Sequence, residues 1–345
     1  MRVGMLTGGG DCPGLNAVIR AAVRKGVLHY GDEFVGFMEG WRGVLDDVAM
    51  PLDLETTSGI LHLGGTILRS SRTNVKKIDG GLDRCAEVIA KRGLDALIAM
   101  GGDDTQSVSL ALSERGVKCV GVPKTIDNDL SGTDACFGFD TAVSIATEAV
   151  DRLHSTTEAH NRVMVVEVMG RDAGWIALTS GIAGGADVVL VPERPIDIDD
   201  VCRLIQHRRE HGKRFSIVVV AEGAKLPEHT GQTSVGTAKD SFGHVRLSGI
   251  GQILAEEIEK RTGFETRSVN LGHTQRGGTP TAYDRMLATR YGAAAIDLVH
   301  AGWFGRLVVL RGTDISDIPI ADAIAKTRTV GEDLLSLISD LQPPR

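Results

Sequence analysis

No stretch of this 345-residue chain approaches the roughly 18 consecutive apolar residues that a membrane-crossing helix needs. The opening residues, Met1-Arg2-Val3-Gly4-Met5-Leu6-Thr7, show no basic leader and no small-residue cleavage site, so they read as the first strand of a fold. The expectation is a soluble, cytoplasmic protein without membrane partners. Cysteine is sparse: Cys12, Cys85, Cys119, Cys136 and Cys202 are scattered, odd in number and never arranged as CxxC. That spacing suggests neither a disulfide framework nor a zinc site, and it fits a reducing compartment. Low-complexity runs and polar tails are missing too. With 42% apolar and 24% charged residues, the chain has the composition of a folded globular protein. There is no basic excess: 38 Lys and Arg face 45 Asp and Glu, for a net charge of −7, and the cations are dispersed. A nucleic-acid surface is thereby disfavoured, whereas small anions held by local arginines are not.

What is abundant is glycine, 43 residues, which points to many tight turns close to a ligand. Short Val-, Ile- and Leu-rich runs alternate with helical patterns. Strands are predicted at Arg2–Leu6, Phe34–Phe37, Ala96–Met100, Cys119–Val122, Val163–Val168, Val188–Val191, Ser216–Val220, Ser268–Leu271 and Leu307–Leu310. Helices are predicted from about Leu15 to Leu28, near Arg84–Lys91, and over about Thr105–Arg115 and Asp140–Leu153. This alternation predicts an α/β protein with mostly parallel sheets covered on both faces, and the length suits two domains. In such sheets ligands sit beyond the carboxyl ends of strands. Polar, Gly-rich clusters follow Leu6, Met100, Val122, Val168, Val220 and Leu271, six junctions of that kind.

The first junction, Thr7-Gly8-Gly9-Gly10-Asp11-Cys12-Pro13-Gly14-Leu15-Asn16, opens a helix. Its glycines let main-chain amides approach an anion, and the helix terminus adds partial positive charge; the plainer reading is a tight turn. No Gly-Lys-Ser/Thr follows, so it is not a Walker A loop. The second, Met100-Gly101-Gly102-Asp103-Asp104-Thr105, sets a carboxylate beside a phosphate-approachable backbone, as magnesium requires. Helix capping by Asp104 or Thr105 is the plainer reading, although capping alone gives no reason for Gly101 and Gly102. The third, Pro123-Lys124-Thr125-Ile126-Asp127-Asn128-Asp129, packs a cation, carboxylates and polar groups directly after a buried strand. Phosphoryl transfer needs a base, a metal site and a cation, and this segment offers all three. The other junctions are cationic: Arg69 and Arg72, Arg162, Met169-Gly170-Arg171, Arg267, and Gly272-His273-Thr274-Gln275-Arg276-Gly277-Gly278. Arginine forks suit phosphate oxygens, although one such residue alone reads as a surface group.

Gly-Gly-Asp at 101–103, Pro-Lys-Thr-Ile-Asp-Asn-Asp at 123–129, Met-Gly-Arg at 169–171 and Gly-His-Thr-Gln-Arg-Gly-Gly at 272–278 together resemble the phosphofructokinase family. The likeness runs in the family's order over residues 1 to about 320. It implies two stacked α/β domains with the active site in the interdomain cleft. The donor domain would take residues 1–138 and about 276–322, and the sugar-phosphate domain 139–275 and about 323–345. It also implies that Asp127 is the base for the 1-hydroxyl of fructose 6-phosphate, flanked by Thr125 and Asp129, and that Asp103 holds Mg²⁺. Arg72 and Arg171 would stabilise the transferring group, and Gly10 would donate a main-chain N–H to it. Met169, Gly170 and Glu222 would contact the sugar. His273 and Arg276 would clamp the 6-phosphate, with Arg162 and Arg267 reaching in from a neighbouring subunit, so a homotetramer or homodimer is implied. Arg20, Arg24 and Lys213 stand where bacterial relatives hold an effector phosphate, but His154 replaces an arginine there, and effector control is not expected.

On the same resemblance the donor is read as inorganic pyrophosphate. Asp104 replaces a glycine typical of ATP-using members, and its carboxylate would collide with an α-phosphate. Lys124 replaces another glycine and would neutralise pyrophosphate and the leaving phosphate. Val108, a third replacement, would narrow the slot for adenine. The reaction would then be reversible and belong to glycolysis and gluconeogenesis. An ATP-dependent 6-phosphofructokinase is the alternative, and a non-catalytic sugar-phosphate sensor a further one. NAD and lipid kinases share Gly-Gly-Asp but lack the motifs at 123–129 and 272–278. Sedoheptulose 7-phosphate stays open as a second acceptor.

Overall fold

A computed structural model describes residues 1–227 and 249–343, and between them the backbone of two strands, Ser234–Lys239 and Val245–Leu247. In chain order the elements are β1 (Arg2–Thr7), α1 (Leu15–Lys25), β2 (Glu33–Phe37), α2 (Trp41–Leu45), β3 (Ala49–Leu52), α3 (Gly81–Lys91), β4 (Ala96–Gly101), α4 (Asp103–Ser113) and β5 (Cys119–Pro123). There follow α5 (Phe139–His160), β6 (Val163–Val168), α6 (Trp175–Ala183), β7 (Val188–Leu190), α7 (Ile198–Glu210), β8 (Ser216–Ala221), β9 (Ser234–Lys239) and β10 (Val245–Leu247). The chain ends with α8 (Ile250–Thr262), β11 (Thr266–Asn270), α9 (Ala282–Ala301), β12 (Arg306–Arg311), β13 (Asp314–Pro319), α10 (Ile320–Ile324) and α11 (Glu332–Asp340). Every predicted strand has a counterpart. The helix predicted to run to Leu28 changes at Gly26 into a π-helical turn that ends at Tyr30, and α5 continues past Leu153 to His160.

The chain falls into two compact units. The first contains Met1–Ile126, Leu130–Thr141 and Arg276–Thr327. Its seven-stranded sheet has the order β13-β12-β5-β4-β1-β2-β3, parallel from β12 to β2 and antiparallel at both edges. β4 and β5 are buried along their whole length, as strands covered on both faces must be, which explains their unbroken apolar runs. One face packs Leu6, Leu97, Ala99 and Cys119 against Trp41, Cys85, Ile89, Val108 and Leu112. The second unit contains Asp127–Asp129, Ala142–Gln275 and Arg328–Arg345, of which 344 and 345 lie outside the described residues. Its parallel sheet has the order β11-β6-β8-β7, and β6 and β8 are wholly buried. Among the described residues no helix is long and apolar enough to cross a membrane.

Within the first unit a buried carboxylate joins the start of α9 to the start of α5. Asp284 Oδ2 accepts from the Thr141 N–H at 2.8 Å and from Thr141 Oγ1 at 2.5 Å. Burial outweighs these bonds and pushes the Asp284 carboxyl up to about 6 from its usual 3.8. A raised carboxyl adds stability below its unfolded value and loses it as pH climbs through the folded one. Asp284→Asn keeps an acceptor for Thr141 but cannot ionise. Its stability relative to wild type should therefore rise by up to about 3 kcal/mol between pH 4 and pH 7. Urea unfolding of both proteins at the two pH values measures this, and a difference that does not change with pH contradicts it.

Candidate active site

The Gly8–Asp11 loop leaves the carboxyl end of β1 and runs along the Arg69–Arg72 segment. Gly9 N–H donates to Ser71 O at 3.1 Å, and Ser70 Oγ donates to Gly9 O. Arg72 is half-buried one residue beyond this contact. Two buried cations close on the loop. Lys124, 4% exposed, donates from Nζ to the Gly10 carbonyl, and a Cβ on Gly9 would stand 3.4 Å from that ammonium. Arg276, 8% exposed, donates from Nη1 to Asp11 O at 3.3 Å, and a Cβ on Gly10 would stand 2.8 Å from the same nitrogen. Glycine at position 10 thus leaves room for the Arg276 guanidinium, while Gly9 is set by its φ of 79° rather than by crowding from Lys124. Cys12, inside the loop, is fully buried with its thiol pushed up to about 12, so it supplies no thiolate.

The second junction departs in two ways from what the sequence suggested. Gly101 has a packing reason: a Cβ there would stand 2.2 Å from Thr105 Cβ. Thr105 also fills the Cβ space of Gly8, with its Oγ1 at 2.5 Å. A phosphate role is therefore not needed to explain this glycine. Val108 does not narrow any slot. It is 0% exposed and packs in the core, because Thr105, Val108, Ser109 and Leu112 form the inward stripe of α4. The solvent side holds Asp104, half-buried, and Ser107, whose Oγ accepts from Lys76 Nζ at 2.6 Å. Asp103 is exposed at the first position of α4, whose amino terminus has no side-chain cap. Gln106 is a residue the motifs did not single out. Its Nε2 donates to Ala99 O, Gly101 O and Val122 O at 3.0, 3.3 and 3.2 Å, tying together the ends of β4 and β5.

The Pro123–Asp129 segment is divided: Lys124 and Thr125, both buried, belong to the first unit and Asp127–Asp129 to the second. Asp127 is 5% exposed, and Asp129 is half-buried. In the second unit Met169, Gly170 and Arg171 follow β6, and Glu222 follows β8. The Arg171 N–H donates to Glu222 Oε1 at 3.3 Å with Arg171 at φ 50°, so a predicted stabiliser of the transferring group meets a predicted sugar contact. The Met169 N–H donates to Gln275 Oε1 at 3.4 Å; this fully buried Gln275 was not among the predicted site residues. His273 is exposed and lies in the second unit, whereas Arg276 lies in the first, on the Gly8–Asp11 loop. Arg162 and Arg267 flank Glu265, at 2.9 and 2.8 Å, and Arg267 also reaches Glu259 at 3.7 Å. His154 Nε2 bonds the Gly184 carbonyl at 2.7 Å.

A Gly-rich loop contacted by two buried cations has the chemistry to hold an anion. The phosphofructokinase family profile matches residues 2–299. The chain belongs to the phosphofructokinase family. It is a phosphotransferase. A pyrophosphate–fructose 6-phosphate 1-phosphotransferase of Amycolatopsis mediterranei is 60% identical over 331 residues, 96% of each chain. An ATP-dependent 6-phosphofructokinase 3 of Streptomyces coelicolor is 54% identical over 330 residues, again 96% of each. Among solved structures, a pyrophosphate-dependent phosphofructokinase from Marinobacter aquaeolei superimposes with a TM-score of 0.81 at 23% identity, over 100% of this chain and 94% of that one, which shows the shared fold.

The contact of Gly8 and Gly101 with Thr105 is testable. Gly8→Ala overfills the junction and should destabilise the protein by about 1–3 kcal/mol. Adding Thr105→Ala, which removes Oγ1 and Cγ2, should return most of that loss. Denaturant unfolding of both single variants and the double variant decides it, and strictly additive losses would refute the packing account.

Proposed function

We propose that this phosphofructokinase transfers a phosphoryl group from inorganic pyrophosphate to the 1-hydroxyl of fructose 6-phosphate, reversibly, giving fructose 1,6-bisphosphate and phosphate in glycolysis and gluconeogenesis. The observation that carries the donor reading is the buried Lys124 ammonium on the Gly9–Gly10 backbone. A cation at that loop attracts a compact dianion or trianion such as pyrophosphate, whose charge it would partly neutralise. Asp104, half-buried on the outward side of α4, adds negative charge where a longer nucleotide chain would run. Relatives named as pyrophosphate enzymes at 59–60% identity lend further support, against 52–54% for those named as ATP-dependent.

In this reading Gly10 donates its N–H to the phosphoryl group, while Arg72 and Arg171 meet the charge that develops on it. Asp127 takes the proton from the sugar hydroxyl, with Thr125 and Asp129 beside it. Met169, Gly170 and Glu222 hold the sugar, and His273 its 6-phosphate. Arg276 is a phosphate ligand too, and its seat against Gly10 favours the donor side. Arg162 and Arg267 complete the 6-phosphate site of a neighbouring copy in a homo-oligomer. β11 is an edge strand with Arg267 exposed, and a phosphate there must displace Glu265. Magnesium fits the donor set, since it binds one or two carboxylates together with substrate phosphates, and Asp103 is an exposed carboxylate at the strand end. Among the described residues no cluster of three or more His, Cys, Asp or Glu offers a metal site independent of substrate. When bound, the ion neutralises phosphate charge.

Purified protein assayed with each donor and Mg²⁺ should turn over faster with pyrophosphate than with ATP, and the reverse ranking sinks the donor assignment. Lys124→Met should cut pyrophosphate turnover by about 100-fold or more. Asp104→Gly should raise turnover with ATP, and no gain would show that the carboxylate does not obstruct a nucleotide. Asp127→Ser should lose about 100- to 10,000-fold in kcat, as removal of a general base does. A phosphate sensor without catalysis would show no turnover in the unaltered protein either.

A further inference from the structure

Arg328 lies between α10 and α11, in a stretch without a motif, and belongs to the second unit together with Asp127–Asp129. Its main-chain N–H donates to the Asp129 carbonyl at 2.7 Å, and its Nη1 donates to the Asn128 carbonyl at 3.1 Å. Asn128 stands at φ 54°. Such left-handed geometry costs a non-glycine residue about 1–2 kcal/mol and persists where its surroundings over-determine it. The other side of Arg328 is fixed to α6. The guanidinium lies over the Trp175 ring, 4.2 Å from its centroid, and Trp175 Nε1 donates to the Arg328 carbonyl at 2.9 Å. Two residues on, Glu193 Oε1 accepts from both Val330 N–H and Gly174 N–H at 2.9 Å, a second tie to the start of the same helix. α6 opens four residues after Arg171. One arginine thus bonds the turn that carries Asp127 and stacks on the helix that follows Met169-Gly170-Arg171.

We propose that Arg328 is a positioning residue for the phosphoryl transfer, holding the Asp127–Asp129 turn in register with the Met169–Arg171 loop so that the Asp127 carboxylate is aimed at the acceptor hydroxyl. This rests on the reading of Asp127 as the base. A planar guanidinium can stack on an indole and donate in its own plane at once, whereas a lysine ammonium cannot do both. Misaiming a reacting group by about 1 Å costs on the order of 100-fold in rate without a matching change in binding.

The test uses the full-length protein with whichever donor, pyrophosphate or ATP, turns over faster. Arg328→Ala should lower kcat by about 10- to 100-fold while KM for both substrates stays within about threefold. Added guanidinium ion should restore part of the lost kcat and leave wild type unaffected, and Arg328→Lys should recover little. In an Asp127→Ser background the same alanine change should cost nothing further, since Arg328 acts through that carboxylate. A kcat within about threefold of wild type, or losses that multiply in the double variant, overturns the proposal. Full turnover in Asp127→Ser alone would instead remove the base reading, so the two failures are told apart. Should Arg328→Ala not fold, Arg328→Lys and Trp175→Phe carry the test, with unchanged kcat in both counting against it.

Discussion

An ammonium group buried at the carboxyl end of β5 sets the terms for the first unit. Lys124 is 4% exposed, and its Nζ bonds the Gly10 carbonyl. Arg276 bonds the next carbonyl from the other cation. A side chain at Gly10 would crowd the Arg276 guanidinium, and one at Gly9 would be strained at a φ of 79°. Within the first unit, the alternation of strand and helix places this pair of cations beyond the carboxyl ends of β1 and β5, where polar junctions leave the sheet.

The buried parallel strands were readable because a strand covered on both faces is a near-continuous apolar run, as Ala96–Gly101, Val163–Val168 and Ser216–Ala221 are apart from Glu167 and Ser216. The antiparallel edges were not readable. Asp314–Pro319 carries two aspartates and a terminal proline, and Ala49–Leu52 has a proline inside it; both are only partly buried. The second half of α5, rich in Ser, Thr and His, has weak intrinsic preference for helix, which is why the sequence pattern did not carry it to His160. Val108 shows a different failure. Its spacing from Thr105 and Leu112 already marked an inward helical stripe, but attention to what the position would do for a ligand overrode the period.

The candidate site was legible wherever chemistry and short spacing coincide, at 101–104, 123–129, 169–171 and 272–278. It was illegible where a partner lies far along the chain. Arg328 and Asn128 are separated by 200 positions, and Gln275 and Met169 by 106. No periodicity or local composition encodes such pairs. The glycines were half legible: their abundance announced close approach but not what approaches. At Gly101 it is the Thr105 side chain and at Gly10 an arginine.

On the proposed reading, donor choice rests on local charge rather than on overall likeness. Relatives named for either donor lie within a narrow span of identity to this chain, from 52% to 60%, and cover it equally. A whole-chain average of that kind is dominated by core and surface positions that never meet the donor. Asp104 and Lys124 are two positions in 345 and barely alter the average. Yet at an effective dielectric constant near 20, two unit charges 4 Å apart interact by about 4 kcal/mol, which corresponds to roughly a thousandfold in an equilibrium or a rate. On the proposed reading, one carboxylate on the outward side of α4 and one ammonium under the Gly9–Gly10 backbone would outweigh what the remainder of the sequence leaves undecided.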